Sequence, residues 1–151
     1  MRWRCSAAPA SCGAARGSGA RARRVEELLR YDGPVNTATF RFTTEPVEVG
    51  GTVVPAEHPV VVSPLAANRD PARFPDPDAL DVGRDASGHL AFGHGVHHCL
   101  GAALGRAEAA LLLPGLLDVL ADVRLAVPAD ALTWRRSMLV RGLERLPLTA
   151  R

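Results

Sequence analysis

The chain has 151 residues, 47% of them hydrophobic, and a formal net charge of +2; that is about one domain's worth of chain, apolar enough to bury a core. It holds no run of eighteen apolar residues, which argues against a membrane span. Residues 1–24 carry six arginines and no acid, whereas residues 25–151 carry twelve arginines against sixteen acids, so the part expected to fold is mildly acidic and ill suited to a nucleic-acid surface.

In chain order, residues 1–24 show neither a helical nor a strand period and read as a disordered or misassigned start. The folded part is expected over residues 25–151. Val25, Leu28 and Leu29 share one face of a helix, which Asp32-Gly33-Pro34 ends. Alternation of Thr37, Thr39, Arg41 and Thr43 with Ala38, Phe40 and Phe42 predicts a strand. Val47–Val49 and Thr52–Val54 flank Gly50-Gly51 as a hairpin, and residues 59–63 continue as a short strand. Residues 68–88, with Pro71, Pro75, Pro77 and five aspartates, exclude a long helix or a central strand. From Leu100 through Ala103, Leu104, Ala107, Ala110 and Leu111 the spacing is helical, with a kink expected at Pro114. The tail reads as two short strands around Met138–Arg141. The fold class is mainly α with small β elements (α+β).

Three cysteines, Cys5, Cys12 and Cys99, cannot build a disulfide framework and suit a reducing compartment. Cys99 closes the stretch Phe92-Gly93-His94-Gly95-Val96-His97-His98-Cys99-Leu100-Gly101. A zinc site would draw on His94, His97, His98 and Cys99. Structural zinc sites use two separated ligand pairs, and here every candidate crowds into one glycine-broken segment. A single thiolate needs only Cys99, where a glycine-rich loop meets a helix N-terminus that favours an anion. Glycines there also let the backbone approach a flat ligand. A buried, inert cysteine opening a core helix stays open as a third reading.

Phe92, Gly95, His97, Cys99, Leu100 and Gly101 resemble the heme-binding loop of the cytochrome P450 monooxygenases. The resemblance implies heme b as cofactor, with Cys99 the axial ligand of its iron. It also places Phe92 beside the macrocycle, brings Gly93 and Gly101 close to it, and gives His97 a propionate contact. Glu27 and Arg30 resemble the family's Glu-x-x-Arg pair, which locks the irregular segment beneath the heme. Arg41 stands where the family places a propionate-binding arginine, and residues 68–78 resemble its meander. Ala79 occupies the position of an arginine that completes a triad with Glu27 and Arg30, so a neighbour such as Arg84 is the expected substitute.

His89 is expected either at a propionate or on the surface, and Arg106 either on a redox-partner face or merely solvated. Thr37, Leu139 and Val140 match positions near substrate, with core packing an equal reading. The partners implied are an apolar small-molecule substrate and a ferredoxin-type electron donor, in the cytoplasm, without nucleic acid or membrane. The resemblance covers residues 25–151, a C-terminal heme-binding portion. The family's distal oxygen-activating helix lies upstream of the Glu-x-x-Arg helix, and nothing in residues 1–24 resembles it. No residue of this chain is therefore expected to act on oxygen. The chain is expected to be the C-terminal portion of an enzyme that inserts one atom of O2, or a truncated, inactive heme-binding fragment.

Overall fold

The structure, a computed structural model, describes residues 18–151. The reading of the first seventeen residues, Cys5 and Cys12 included, lies outside the described residues. The first helix, α1, spans Ser18–Asp32 and so begins upstream of the expected Val25. Its inward face is not the leucine stripe: Val25, Glu27 and Arg30 are buried, whereas Leu28 is 37% exposed. A charged pair can face inward here because the irregular segment supplies backbone partners for it.

Directly after α1, a Cβ on Gly33 would lie 2.6 Å from the Leu29 carbonyl oxygen, a backbone atom with nowhere to go. Gly33→Ala is therefore expected to cost roughly 1–3 kcal/mol of stability, read as a lower urea midpoint with unchanged slope.

The predicted strand over 37–43 contracts to β1, Arg41–Phe42, paired antiparallel with β4, Pro59–Val60. Ala38 N–H extends that pairing to Val62 O at 2.8 Å, and the residues before it are tied to the tail. Asn36 N–H donates to Leu139 O at 2.9 Å, the Thr37 hydroxyl donates to Met138 O at 2.9 Å, and Val35 bridges Val140. The hairpin is present as β2, Val47–Val49, and β3, Thr52–Val54, turning on Gly50 and Gly51 at positive φ. A short helix α2, Pro64–Ala67, follows, its N-terminus capped by Ser63 Oγ, which accepts from Ala66 N–H at 3.1 Å.

Residues 68–101 carry no helix or strand longer than one 3-10 turn, Gly95–His97. Helix α3, Ala102–Ala121, runs through Pro114. It starts later than the spacing suggested, leaving Leu100 outside it and fully exposed. The tail pairs antiparallel around Met138–Arg141, with Arg135 N–H donating to Gly142 O at 2.9 Å and Glu144 N–H to Thr133 O at 2.9 Å, though only as an isolated bridge. Val140 is taken by Val35, Trp134 bridges Leu143, and the regular pair is β5, Val123–Leu125, with β6, Leu148–Ala150. Arg141 lies over the Trp134 ring at 3.9 Å and reaches Asp32, which fastens the tail to the end of α1.

The interior is partly polar. Buried apolar residues include Val25, Phe74, Ala86 and Ala102, beside buried Glu27, Arg30, Asn68 and His89. Along α3, Leu104, Leu111, Leu112, Leu116 and Leu117 are all exposed, Leu111 by 80%. No helix among the described residues is long and apolar enough to cross a membrane.

Candidate functional site at the cysteine loop

The loop is built by its own backbone. Gly93 and Gly95 sit at φ +73° and +69°, the left-handed region that costs glycine little. That curvature lets Cys99 N–H donate back to Phe92 O at 2.9 Å. Gly93 N–H donates to Leu90 O at 2.9 Å and His98 N–H to Gly95 O at 3.0 Å. Cys99 O accepts from Ala102 N–H at 3.1 Å, joining the loop to the first turn of α3. The Cys99 thiol is free and exposed. A Cβ on Gly101 would stand 3.7 Å from its sulfur, so a larger residue there would crowd the approach to the thiol.

The imidazoles do not converge on the cysteine. His98 Nδ1 lies 3.3 Å from Gly93 O, and its ring meets Phe92 edge-on at 6.5 Å. His94 and His97 are exposed. Among the described residues no three His, Cys, Asp or Glu side chains are grouped to share an ion, so the loop does not form the zinc arrangement. The inert-cysteine reading fails as well, because Cys99 is at the surface rather than in the core.

Beneath the loop, Glu27 and Arg30 are fully buried and paired through two hydrogen bonds, Nε to Oε2 at 2.7 Å and Nη2 to Oε1 at 2.9 Å. Arg30 also donates to the carbonyls of Asn68 at 2.9 Å, Pro77 at 2.9 Å and Ala79 at 3.2 Å. Glu27 accepts from Asp81 N–H at 2.9 Å and has Arg84 Nε 3.4 Å away. The place lacking an arginine side chain, Ala79, thus contributes its carbonyl, while Arg84 brings the second guanidinium to Glu27. Asn68 Oδ1, buried, accepts from Leu90 N–H at 2.6 Å and carries this lock into the segment that leads to the loop.

His89 and Arg106 are placed differently from their sequence readings. His89 is buried rather than on the surface, and Arg106 is not merely solvated; both bond Glu26. Arg106 donates through Nε to Oε1 at 2.7 Å and through Nη2 to Oε2 at 3.0 Å. His89 Nε2 lies 2.9 Å from Oε2, while its Nδ1 accepts from Ala91 N–H at 3.1 Å. That pattern satisfies a neutral imidazole with its proton on Nε2. Burial pushes the Glu26 carboxyl up, but hydrogen bonds and charge from Arg106, joined by His89, outweigh it and hold it below the usual range. Burial pushes His89 down, more than Glu26 pulls it up, and the charges of Arg106 and Arg30 add to the depression.

Both groups therefore bind protons more readily in the unfolded chain, so stability falls as pH falls. The urea midpoint is expected to be level above about pH 7 and to decline below about pH 6.5, first through His89 and then through Glu26. His89→Asn is expected to remove the first part of that decline.

Arg41 is held locally among the described residues. Its Nη1 donates to Thr39 Oγ1 at 2.6 Å, and no hydrogen bond ties it to the cysteine loop. Thr37, Leu139 and Val140 are brought together at the junction of β1 and the tail, where Leu139 and Val140 are about half exposed.

Residues 23–120 match the family model described as cytochrome P450. The chain belongs to the cytochrome P450 family. It is 50% identical over 124 residues to the cytochrome P450 monooxygenase PikC of Streptomyces venezuelae, covering 82% of this chain and 30% of that protein. It is 49% identical over 125 residues to the vitamin D(3) 25-hydroxylase of Pseudonocardia autotrophica, covering 83% of this chain and 31% of that protein. The ligand-free structure of the P450 monooxygenase TamI superimposes with a TM-score of 0.82 at 47% identity, over 88% of this chain and 32% of that one. The chain thus has part of the P450 fold and spans about a third of the length of the curated relatives it matches. Members of this family carry heme, and heme b is the cofactor the family implies for the chain.

The residues present fit that group. An exposed thiol stands on a glycine-shaped loop with no group of competing ligands among the described residues, and the neighbouring Val96 and Leu100 expose nearly their whole apolar surface.

Proposed function

We propose that this chain is the heme-holding portion of a bacterial P450 monooxygenase that oxidises an apolar small molecule. The observation that supports the reading best is the exposed Cys99 thiol, held on a loop whose backbone is closed by the Phe92–Cys99 bond and whose base is locked by Glu27 and Arg30.

When bound, heme supplies the iron centre at which O2 is activated for insertion of one oxygen atom. Cys99, as thiolate, is the residue that would hold that iron and would supply electron density to it. Phe92 would flank the macrocycle, and Gly93 and Gly101 leave room for a flat ring. His97, exposed and without a side-chain hydrogen bond among the described residues, is the donor offered to a propionate; Arg41 is a second after release from Thr39. Glu27 and Arg30 act on the same site by holding the meander still. Thr37, Leu139 and Val140 form an exposed junction that we assign to the substrate side. Oxygen insertion belongs to the whole P450 fold, of which this chain spans about a third; this chain's part is to hold the heme. The partners inferred are the apolar substrate and a ferredoxin-type electron donor, in the cytoplasm.

Hemin titrated into the purified chain, then reduced under carbon monoxide, tests the reading. A red-shifted carbonyl band of the thiolate type is expected. A band of the imidazole type, or no uptake, would overturn the assignment of Cys99.

A further inference from the structure

Glu26 and Glu27 are adjacent in α1, yet their carboxylates serve different segments. Successive helix positions diverge by about 100° around the axis. Glu27 faces the meander and accepts from Asp81 N–H. Glu26 faces α3 and the approach to the cysteine loop, where it bonds Arg106 and His89. Those two side chains both lie against Phe92. The Arg106 guanidinium sits 4.7 Å from the ring centroid, and the His89 ring is 6.2 Å away at 45°. The carbonyl of Phe92 in turn receives the Cys99 N–H.

We propose that Glu26 is a positioning residue for the cysteine loop: it holds Arg106 and His89 against the Phe92 ring and so fixes the backbone bond between Phe92 and Cys99. A carboxylate gripped by both nitrogens of a guanidinium fork has one preferred orientation. That orientation sets where the guanidinium plane lies over the ring, an attraction strengthened by partial burial. His89 closes the other side, its two nitrogens both engaged, and cannot rotate without losing Glu26 or Ala91. Glu26 thus joins α1, the segment before the loop and α3 at the residue where the loop begins. The importance of this for oxidation rests on Cys99 being the iron ligand; the coupling itself does not.

Site-resolved hydrogen exchange on the full chain tests it without added heme. In Glu26→Ala, the amides of Cys99 and Gly93 are expected to lose about tenfold protection, while the Asp81 amide, bonded to Glu27, keeps its own. Arg106→Lys retains the charge but removes the fork, and is expected to give the same selective loss. It also serves as the deciding variant should Glu26→Ala not fold. If all three amides lose protection together, Glu26 supports the fold generally and the proposal fails. It fails equally if none changes. Failure of the unaltered chain to give a thiolate-type carbonyl band would count against the heme reading alone and would leave this exchange comparison intact.

Discussion

Glu27→Ala is expected to lower the unfolding free energy by roughly 3–5 kcal/mol, the usual cost of removing one member of a buried ion pair. Most of that cost comes from what is left behind. Arg30 would remain fully buried with three carbonyl acceptors but no counter-charge. Arg84, whose buried Nε has no hydrogen-bond partner among the described residues, would lose the carboxylate 3.4 Å from it. Asp81 N–H would lose its acceptor. With these contacts gone, the meander has few apolar residues to fall back on, Phe74 being its one large buried apolar side chain. Stable hemin uptake should be lost with them. The control is Asp78→Ala, which removes the exposed partner of Arg69, 87% of its side chain open to solvent. That change should stay within about 1 kcal/mol. Urea titrations of both variants, with hemin binding followed alongside, would decide. A loss for Glu27→Ala no larger than that of the control would mean the pair is superficial.

Cys99→Ser is expected to do the reverse: little to stability and nearly everything to the cofactor's spectrum. The thiol is exposed, and the loop closes through Cys99 backbone atoms that serine keeps. The urea midpoint should therefore move by no more than about 0.5 kcal/mol equivalent. A hydroxyl is a far weaker anionic donor than a thiol at neutral pH, so the red-shifted carbonyl band should disappear even where some hemin still binds. A band unchanged by this substitution would remove Cys99 from the iron. Together the two variants separate the ligand from the scaffold: one should change the spectrum without the fold, the other both.

The parts legible in the sequence were those written in local spacing. The glycines and Cys99 of the loop, the Glu27–Arg30 interval, the Val47–Val54 hairpin and the proline-rich irregularity of residues 68–88 each lie within a few residues of themselves. The parts not legible depend on pairing between distant segments. Glu26 meets His89 and Arg106 across 63 and 80 positions, and no periodicity marks such a meeting. A glutamate beside Glu27 looks like an ordinary solvated helix charge. The role of Ala79 was hidden for another reason: what it offers Arg30 is a carbonyl, which every residue type has. The strand over 37–43 is regular only at Arg41 and Phe42, although Ala38 N–H and Thr43 N–H also donate to Val62 O and His58 O of the same partner segment; alternation records which way side chains point, not how continuously the ladder bonds run. Leu28 misled similarly, since the inward face of α1 is set by the carbonyls awaiting Arg30 rather than by leucine.

Among the described residues, three of the four largest fully buried side chains, Arg30, Glu27 and Asn68, are polar. Hydrating apolar surface raises the heat capacity of unfolding, and hydrating polar surface lowers it. A chain whose interior releases guanidinium, carboxylate and amide groups along with a modest apolar set should show a small heat-capacity increment per residue. Its free energy of unfolding should then vary only gently with temperature, with a broad shallow maximum and little loss in the cold.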